Sequence, residues 1–370
     1  MKIIEPKQIS HGIVNRVQGS MFCYQGWPTV AKDENGVLYA VASGFRISHI
    51  CPFGKTVLYT SHDGGNTWSC PTVINDTYLD DRDAGILYMG NGRMLVTWFT
   101  HSAKAYHTKY QKPIKNWTPE YATGTVKGAL EDYEKLPEEE RLAGSYVRVS
   151  EDYGRTWSEK IPVPVSAPHG PTLCKDGSII YLGRSNYAAD RETVRSEHSE
   201  NHLYRSRDGG YHWEYESSVT PPAWLGEGER LVEPHVLELP NGTILGAFRV
   251  GGRKPFSIAL STSLDGGKSW GEVICTGVSG APPHLMLHSS GALICSYGRR
   301  EAPYGERAMI SYDYGKTWSE EYILDTQERS SDLGYASTVE LEDKSLISVY
   351  YQRFGSDAYP SILYTKWSLK

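Results

Sequence analysis

Hydrophobic and polar residues alternate along this chain in short runs, broken at close intervals by glycine, asparagine or aspartate. Runs such as Thr56-Val57-Leu58-Tyr59-Thr60, Met94-Leu95-Val96-Thr97-Trp98 and Thr243-Ile244-Leu245-Gly246-Ala247-Phe248 are rich in β-branched and aromatic residues and too short for helices. They predict strands joined by tight turns. The turns are of two kinds. Asn35-Gly36, Asn91-Gly92, Asp176-Gly177, Asn241-Gly242 and Ser290-Gly291 each separate two extended runs, a strong hairpin signal. The second kind is a motif, S-x-D-x-G-x-[TSH]-W, first seen in Ser61-His62-Asp63-Gly64-Gly65-Asn66-Thr67-Trp68. It recurs at Ser150–Trp157, Ser206–Trp213, Ser263–Trp270 and Ser311–Trp318. Its aspartate can bond the backbone N–H groups of its own turn, its glycine supplies a positive φ, and its tryptophan pins the turn to the neighbouring sheet.

The motif aspartates stand at 63, 152, 208, 265 and 313, hence at intervals of 89, 56, 57 and 48 residues. A period near 50 belongs to four-stranded propeller blades. The expected fold is therefore all-β: one six-bladed β-propeller of four-stranded antiparallel blades spanning residues 1–370. Residues 103–143 form an insertion in blade 2 that explains the long first interval. Within it, Ala129–Lys135 and Pro137–Arg141 read as short charged helical pieces, either a flap over one end or a plain surface excursion. A sixth blade starts at Tyr335-Ala336-Ser337 and ends without a sixth motif. The segment before residue 20 is expected to supply its outer strand and so remove an open edge.

Composition suits this reading: 12% aromatic residues, 37 Gly and 20 Pro. A net charge of −6 gives no support to nucleic-acid binding through a basic surface. No run approaches a membrane-spanning length, and no apolar run follows the N-terminal lysine, so a cytoplasmic location is expected, or a secreted one if a leader has been removed. The six cysteines form no C-x-x-C pair and read as free buried thiols.

In a propeller the first strands line the central channel, and their starts face one mouth together with the ends of the second strands. First-strand starts offer Trp27, Arg82 with Asp83, His169, Glu233 with His235, His284 and Tyr335. Second-strand ends offer Arg46, His101, Arg184, Arg249, Arg299 with Arg300, and Arg353. Arginines at the equivalent place in five of six blades suit a carboxylate or phosphate, each presenting a planar fork of donors; the alternative is structural pairing with Asp83, Glu233 and other carboxylates. The histidines lack metal-ligand spacing, so hydrogen bonding or acid–base work is expected of them, with no metal or other cofactor.

The five motifs resemble the Asp-box, or BNR, repeats of the sialidase (neuraminidase) superfamily, whose blade count is also six. The resemblance spans essentially the whole chain, but the repeat is specific for the fold more than for the activity. It implies a hydrolase with a tyrosine nucleophile paired with a glutamate, an aspartate acid/base and three arginines holding the substrate carboxylate. Glu233, in Glu233-Pro234-His235-Val236-Leu237, resembles the family's glutamate. Arg249 resembles its second arginine, Arg299 or Arg300 its third, and Tyr335 its nucleophile. Two parts differ. Where the family has F/Y-R-I-P this chain has Gln25-Gly26-Trp27-Pro28-Thr29, and Phe45-Arg46-Ile47-Ser48 lies one strand later. His49 stands about where the catalytic aspartate is expected.

The leading expectation is a glycosidase releasing a terminal acidic sugar from an oligosaccharide or glycoconjugate, with no nucleic-acid or membrane partner. Tyr335 and Glu233 form its nucleophilic pair, His49 is the acid/base, and Arg46, Arg249 and Arg299 clamp the anion, with Arg184, Arg300, Arg353, Asp83, His169, His235, His284 and Trp27 as further contacts. The competing readings are a lyase acting on a uronate-linked glycan and a glycan-binding propeller without chemistry.

Overall fold

The computed structural model describes residues 1–6, 9–185, 200–318, 320–327 and 330–370. Six sheets follow one another around a ring; in four the chain runs outward strand by strand from the channel, and in the last two the outermost strand comes from the N-terminal segment. The innermost strands are Tyr24–Lys32, Arg82–Gly90, Thr172–Leu173, Arg230–Glu238, Ala281–Leu287 and Gly334–Glu340. Each touches the next, and the last touches the first. The N-terminal segment closes the ring as expected: Ser10–Asn15 pairs antiparallel with Pro360–Trp367 as the outer strand of blade 6. Lys2–Ile4 adds an unforeseen fifth strand to blade 5, parallel to Glu320–Asp325.

Each pair of neighbouring blades encloses its own apolar core. Leu95, Val147 and Val149 of blade 2 meet Ile179 and Tyr181 of blade 3 in one. Leu203 and Val219 meet Phe248 and Val250 in the next. The repeat tryptophans complete these layers: Trp157, Trp213, Trp270 and Trp318 each pack into the interface between their own blade and the preceding one, and Trp68 packs between blades 6 and 1. The motif turn is built as its sequence suggests. Asp63 accepts from the N–H groups of Asn66 and Thr67 at 2.9 Å, and its other oxygen accepts from the Thr67 hydroxyl at 2.7 Å. Ser61 Oγ accepts the Gly65 N–H at 2.8 Å, and Trp68 Nε1 donates to the Gly65 carbonyl at 3.2 Å. These bonds hold the Asp63 carboxyl well below the usual carboxylate range, those from Thr67 contributing most.

The insertion leaves blade 2 after Thr100 and folds back over blade 1. It forms three helices, α1 (Ala103–His107), α2 (Gln111–Trp117) and α3 (Thr123–Tyr133). Tyr106, Tyr110, Ile114, Val126 and Tyr133 bury against Ile47, Ile50, Cys51 and Leu79. The Tyr133 hydroxyl donates to the Pro52 carbonyl, and the Tyr106 hydroxyl donates to Asp80 at 3.1 Å. The helices are thus seated on the loop that carries His49. No helix among the described residues is long and apolar enough to cross a membrane.

Candidate active site at the channel mouth

The innermost strands share a local irregularity that aims side chains at the mouth. The register slips between Gly26 and Thr29, Arg82 and Gly85, Val232 and His235, and Gly334 and Ser337. Inside each slip one residue adopts the left-handed conformation: Trp27 at φ 55°, Asp83 at 50°, Glu233 at 49° and Tyr335 at 55°. Bulky side chains seldom accept this backbone, which costs on the order of 1–3 kcal/mol each. Bulges of this kind re-aim a side chain out of the pleat.

Two of the four meet directly. The Tyr335 hydroxyl donates to Glu233 Oε1 at 2.9 Å, while Arg249 Nη1 donates to both Glu233 oxygens at 3.0 and 2.8 Å. Burial alone would raise the Glu233 carboxyl, but Arg249 and Arg300 outweigh it and hold the group below its ordinary value. Burial, then the Glu233 charge, pushes the Tyr335 phenol well above its own. The resting pair is therefore carboxylate and phenol, joined by one hydrogen bond. Arg300 lies over the Tyr335 ring at 5.3 Å and donates to the Leu333 carbonyl at 2.9 Å and the Tyr351 hydroxyl at 3.2 Å. Arg184 feels both Glu233 and Arg230; burial first, then Arg230, lowers its pKa. Arg299 ends its strand with Glu301 at 4.0 Å, and Arg353 ends its strand opposite Pro360.

Beside this pair stands a second network. His49 Nδ1 is 2.9 Å from the Tyr24 hydroxyl and 3.1 Å from Asp332 Oδ1. Asp332 also accepts from the hydroxyls of Tyr24, at 3.0 Å, and Tyr351, at 3.0 Å. Burial opposes the Asp332 charge, but the His49 contact and Arg300 bring its pKa down to about 2. Burial lowers the His49 pKa although Asp332 opposes it. Nδ1 faces the carboxylate, which leaves Nε2 for another partner. Trp27 and Trp117 stand edge-on to the His49 ring at 5.1 and 5.7 Å. Asp332 is absent from the positions that the strand register singles out, because it belongs to a loop; its nearness in sequence to Tyr335 is the one signal of it.

Several expected contacts lie elsewhere. Arg46 is fully buried, and its guanidinium takes Asp80 in a two-pronged ion pair and donates to the His49 carbonyl at 3.1 Å. It is spent on folding the blade 1 loop and cannot clamp a substrate anion. Trp27 is buried too, beneath the guanidiniums of Arg46 and Arg82 at 4.7 and 4.2 Å. Arg82 likewise donates to Asp80, at 3.2 Å. His169, His235 and His284 pack on one another inside the channel, with ring centres 4.6 to 5.9 Å apart, and His169 backs onto Tyr335 at 6.1 Å. Burial lowers the pKa of all three, so they form a neutral floor and do not line the mouth. His101 accepts or donates at 3.0 Å with the Tyr110 hydroxyl of the insertion. Asp83 does reach the mouth. Burial pushes its carboxyl up to about 7 against the pull of Arg82, and its Oδ1 has no hydrogen-bond partner. Among the described residues no group of three or more His, Cys, Asp or Glu is placed to hold a metal ion.

Comparison with known proteins agrees with this architecture. Residues 133–290 match the BNR repeat-like domain. A protein of unknown function from Dyadobacter fermentans superposes with a TM-score of 0.77 at 21% identity, over 98% of this chain and 99% of that one. The intramolecular trans-sialidase from Ruminococcus gnavus, in complex with oseltamivir carboxylate, superposes with a TM-score of 0.63 at 16% identity, over 94% of this chain and 95% of that one. The α-L-arabinanase of Penicillium chrysogenum, complexed with arabinobiose, superposes with a TM-score of 0.58 at 16% identity, over 92% and 93%. No curated protein matches the sequence. The fold is that of the sialidases, shared with an α-L-arabinanase.

Proposed function

We propose that the protein is a retaining glycosidase releasing a terminal acidic sugar from an oligosaccharide or glycoconjugate. The observation that carries this reading is the Tyr335 hydroxyl donating to an ionised Glu233 at 2.9 Å. Nucleophile and base stand in hydrogen-bond reach, and the base is itself oriented by a third group, Arg249. A tyrosine is the sensible nucleophile when the sugar bears a carboxylate beside its reacting carbon, because a carboxylate nucleophile would be repelled. Arg184, Arg249 and Arg300 gather positive charge around Glu233, which favours an anionic substrate.

In the first half-reaction the Tyr335 oxygen attacks the anomeric carbon while Glu233 takes its proton. The bond to the leaving oxygen breaks, and protonated His49 supplies that oxygen with a proton from Nε2. In the second half-reaction neutral His49 takes a proton from water, the water oxygen displaces Tyr335, and Glu233 returns the proton to the phenol. Asp332 positions the imidazole and favours its charged form. Asp83, half-protonated near neutrality, is suited to donate to a sugar hydroxyl.

Fluorogenic sialosides and uronides test the reading directly. Wild type is expected to turn over at least one, and Tyr335→Phe to lose at least about a hundredfold in kcat, with Glu233→Gln similarly impaired. Turnover indifferent to both substitutions would overturn the assignment. The lowered pKa of His49 favours one second reading, in which the neutral imidazole removes the proton α to a uronate carboxylate. That reaction breaks the bond from C4 to the linking oxygen, releases the attached sugar, and leaves an unsaturated uronate that absorbs in the ultraviolet and that hydrolysis does not form.

A further inference from the structure

An unbroken run of contacts leads from Glu233 to His49. Glu233 accepts from the Tyr335 hydroxyl at 2.9 Å, and Arg300 lies over the Tyr335 ring at 5.3 Å. Arg300 Nη2 donates to the Tyr351 hydroxyl at 3.2 Å, and that hydroxyl donates to Asp332 Oδ1 at 3.0 Å. His49 Nδ1 stands 3.1 Å from the same Asp332 oxygen. Tyr351, on the second strand of blade 6 (Leu346–Arg353), thereby joins the nucleophilic pair to the acid/base pair. Its side chain is fully buried, the ring centre 5.8 Å from that of Tyr335 and 6.0 Å from that of Trp27. Burial first, then the Asp332 charge, keeps it a neutral phenol, with one proton to give to Asp332 and a lone pair to receive Arg300.

Arg300 stands in the field of both carboxylates. It holds Glu233 below its ordinary pKa, after Arg249, and it helps to do the same for Asp332. At rest each carboxylate is charged and partnered, Glu233 by Arg249 and Arg300, Asp332 by the His49 ring. The first half-reaction alters both ends together. Glu233 gains the Tyr335 proton and becomes neutral, while His49 gives its proton to the leaving oxygen and becomes neutral too. The sum of charges on these groups is unchanged, but Arg300 has lost its carboxylate and Asp332 its imidazolium. Arg249 is left to the substrate carboxylate. The two unmatched charges then stand on either side of one hydroxyl, that of Tyr351.

We propose that Tyr351 is a positioning residue for glycosyl transfer: its hydroxyl ties Arg300 to Asp332, so that the charges stranded by the first half-reaction compensate each other. A hydrogen bond between charged partners in a site shielded from water is stronger than one at the surface, and a hydroxyl that accepts from a cation donates better to an anion. The role rests on the reading of Tyr335, Glu233 and His49 as the reacting groups, so its test separates the two.

Tyr351→Phe removes the hydroxyl and keeps the ring. Tyr351 and His49 share Asp332 Oδ1, so the substitution leaves that oxygen to the imidazole. The His49 pKa is expected to rise by about half a pH unit or more. The measurement is an NMR titration of protein labelled at the histidine ring carbons, with His49→Gln identifying the resonance, and it needs no substrate. Tyr24, Arg46 and Arg82 also face His49 and are common to both proteins. On a sialoside or uronide that the wild type turns over, Tyr351→Phe should lower kcat about tenfold, leave KM within about twofold, and move the alkaline limb upward with the titration. Arg300→Lys keeps the charge without the planar fork. Combined with Tyr351→Phe it should be within about twofold of the slower single variant, because both break one link. A single cooperative melt of each variant shows that it is folded. A His49 titration unmoved by Tyr351→Phe, or kcat losses that multiply in the double variant, would overturn the role of Tyr351. Failure of the catalytic reading would appear separately, as absent turnover by the wild type.

Discussion

At the level of single residues the mouth works by setting neighbouring groups against each other. Glu233 is held ionised by Arg249 and Arg300, while Asp83, at the same register position two blades away, is pushed by burial up to about 7. Glu233 must accept a proton and His49 must donate one, which fixes the shape of the pH profile. kcat/KM should fall as pH drops through the Glu233 pKa, below 4.5, and fall again as pH rises through the His49 pKa, below 6.5. An acidic optimum measured on a fluorogenic substrate would agree; a plateau extending to alkaline pH would exclude the His49 role. Asp83 makes a second prediction, about stability. Its folded pKa lies above the unfolded one, so the folded state holds the extra proton between about pH 4 and 7. Its contribution is present below pH 4 and is lost as pH rises to about 7. Thermal melts of wild type and Asp83→Asn should therefore converge toward acid and diverge toward neutrality, with the variant the more stable at pH 7. Asp81, raised by burial in the same way, and the three floor histidines are common to both proteins and cancel.

At the level of elements, what could be read from sequence depended on how far each contact reaches along the chain. The motif turns are closed by bonds within a few residues, so Asp63 and Thr67 declare themselves locally. Blade register then placed Glu233 opposite Tyr335, 102 positions away, since both are first-strand starts. Asp332 lies 283 positions from His49, in a loop whose path no periodicity describes, and it stayed hidden. Arg46 misled for a related reason. A strand end looks the same in sequence whether its arginine faces solvent or turns back onto a buried carboxylate such as Asp80, the first of the charged residues Asp80-Asp81-Arg82-Asp83. The insertion shows the converse. Its helices are too short to stand alone and are stable only because their aromatic faces have blade 1 to cover. Tyr106→Phe removes the bond to Asp80 and should cost about 1 kcal/mol, read from denaturant unfolding. It should also raise the rate of proteolysis within residues 103–143; unchanged cleavage would show that apolar packing alone seats the helices.

At the level of the whole molecule the ring depends on its first fifteen residues. Ser10–Asn15 completes blade 6, and Lys2–Ile4 covers the outer edge of blade 5. Their removal would bare two sheet edges, so a truncated protein should melt at lower temperature and aggregate when heated, as followed by light scattering. Equal melting of both forms would mean that the inter-blade cores suffice for closure. The repeated bulge has a different kind of consequence. Tryptophan, aspartate, glutamate and tyrosine occupy one backbone socket in four blades, each held by ladder bonds on either side of it. A socket that already accepts four unlike side chains separates the choice of reagent from the construction of the frame. Chemistry at the mouth is then modular, and a propeller of this kind can be given a new reaction by exchanging occupants without rebuilding a blade.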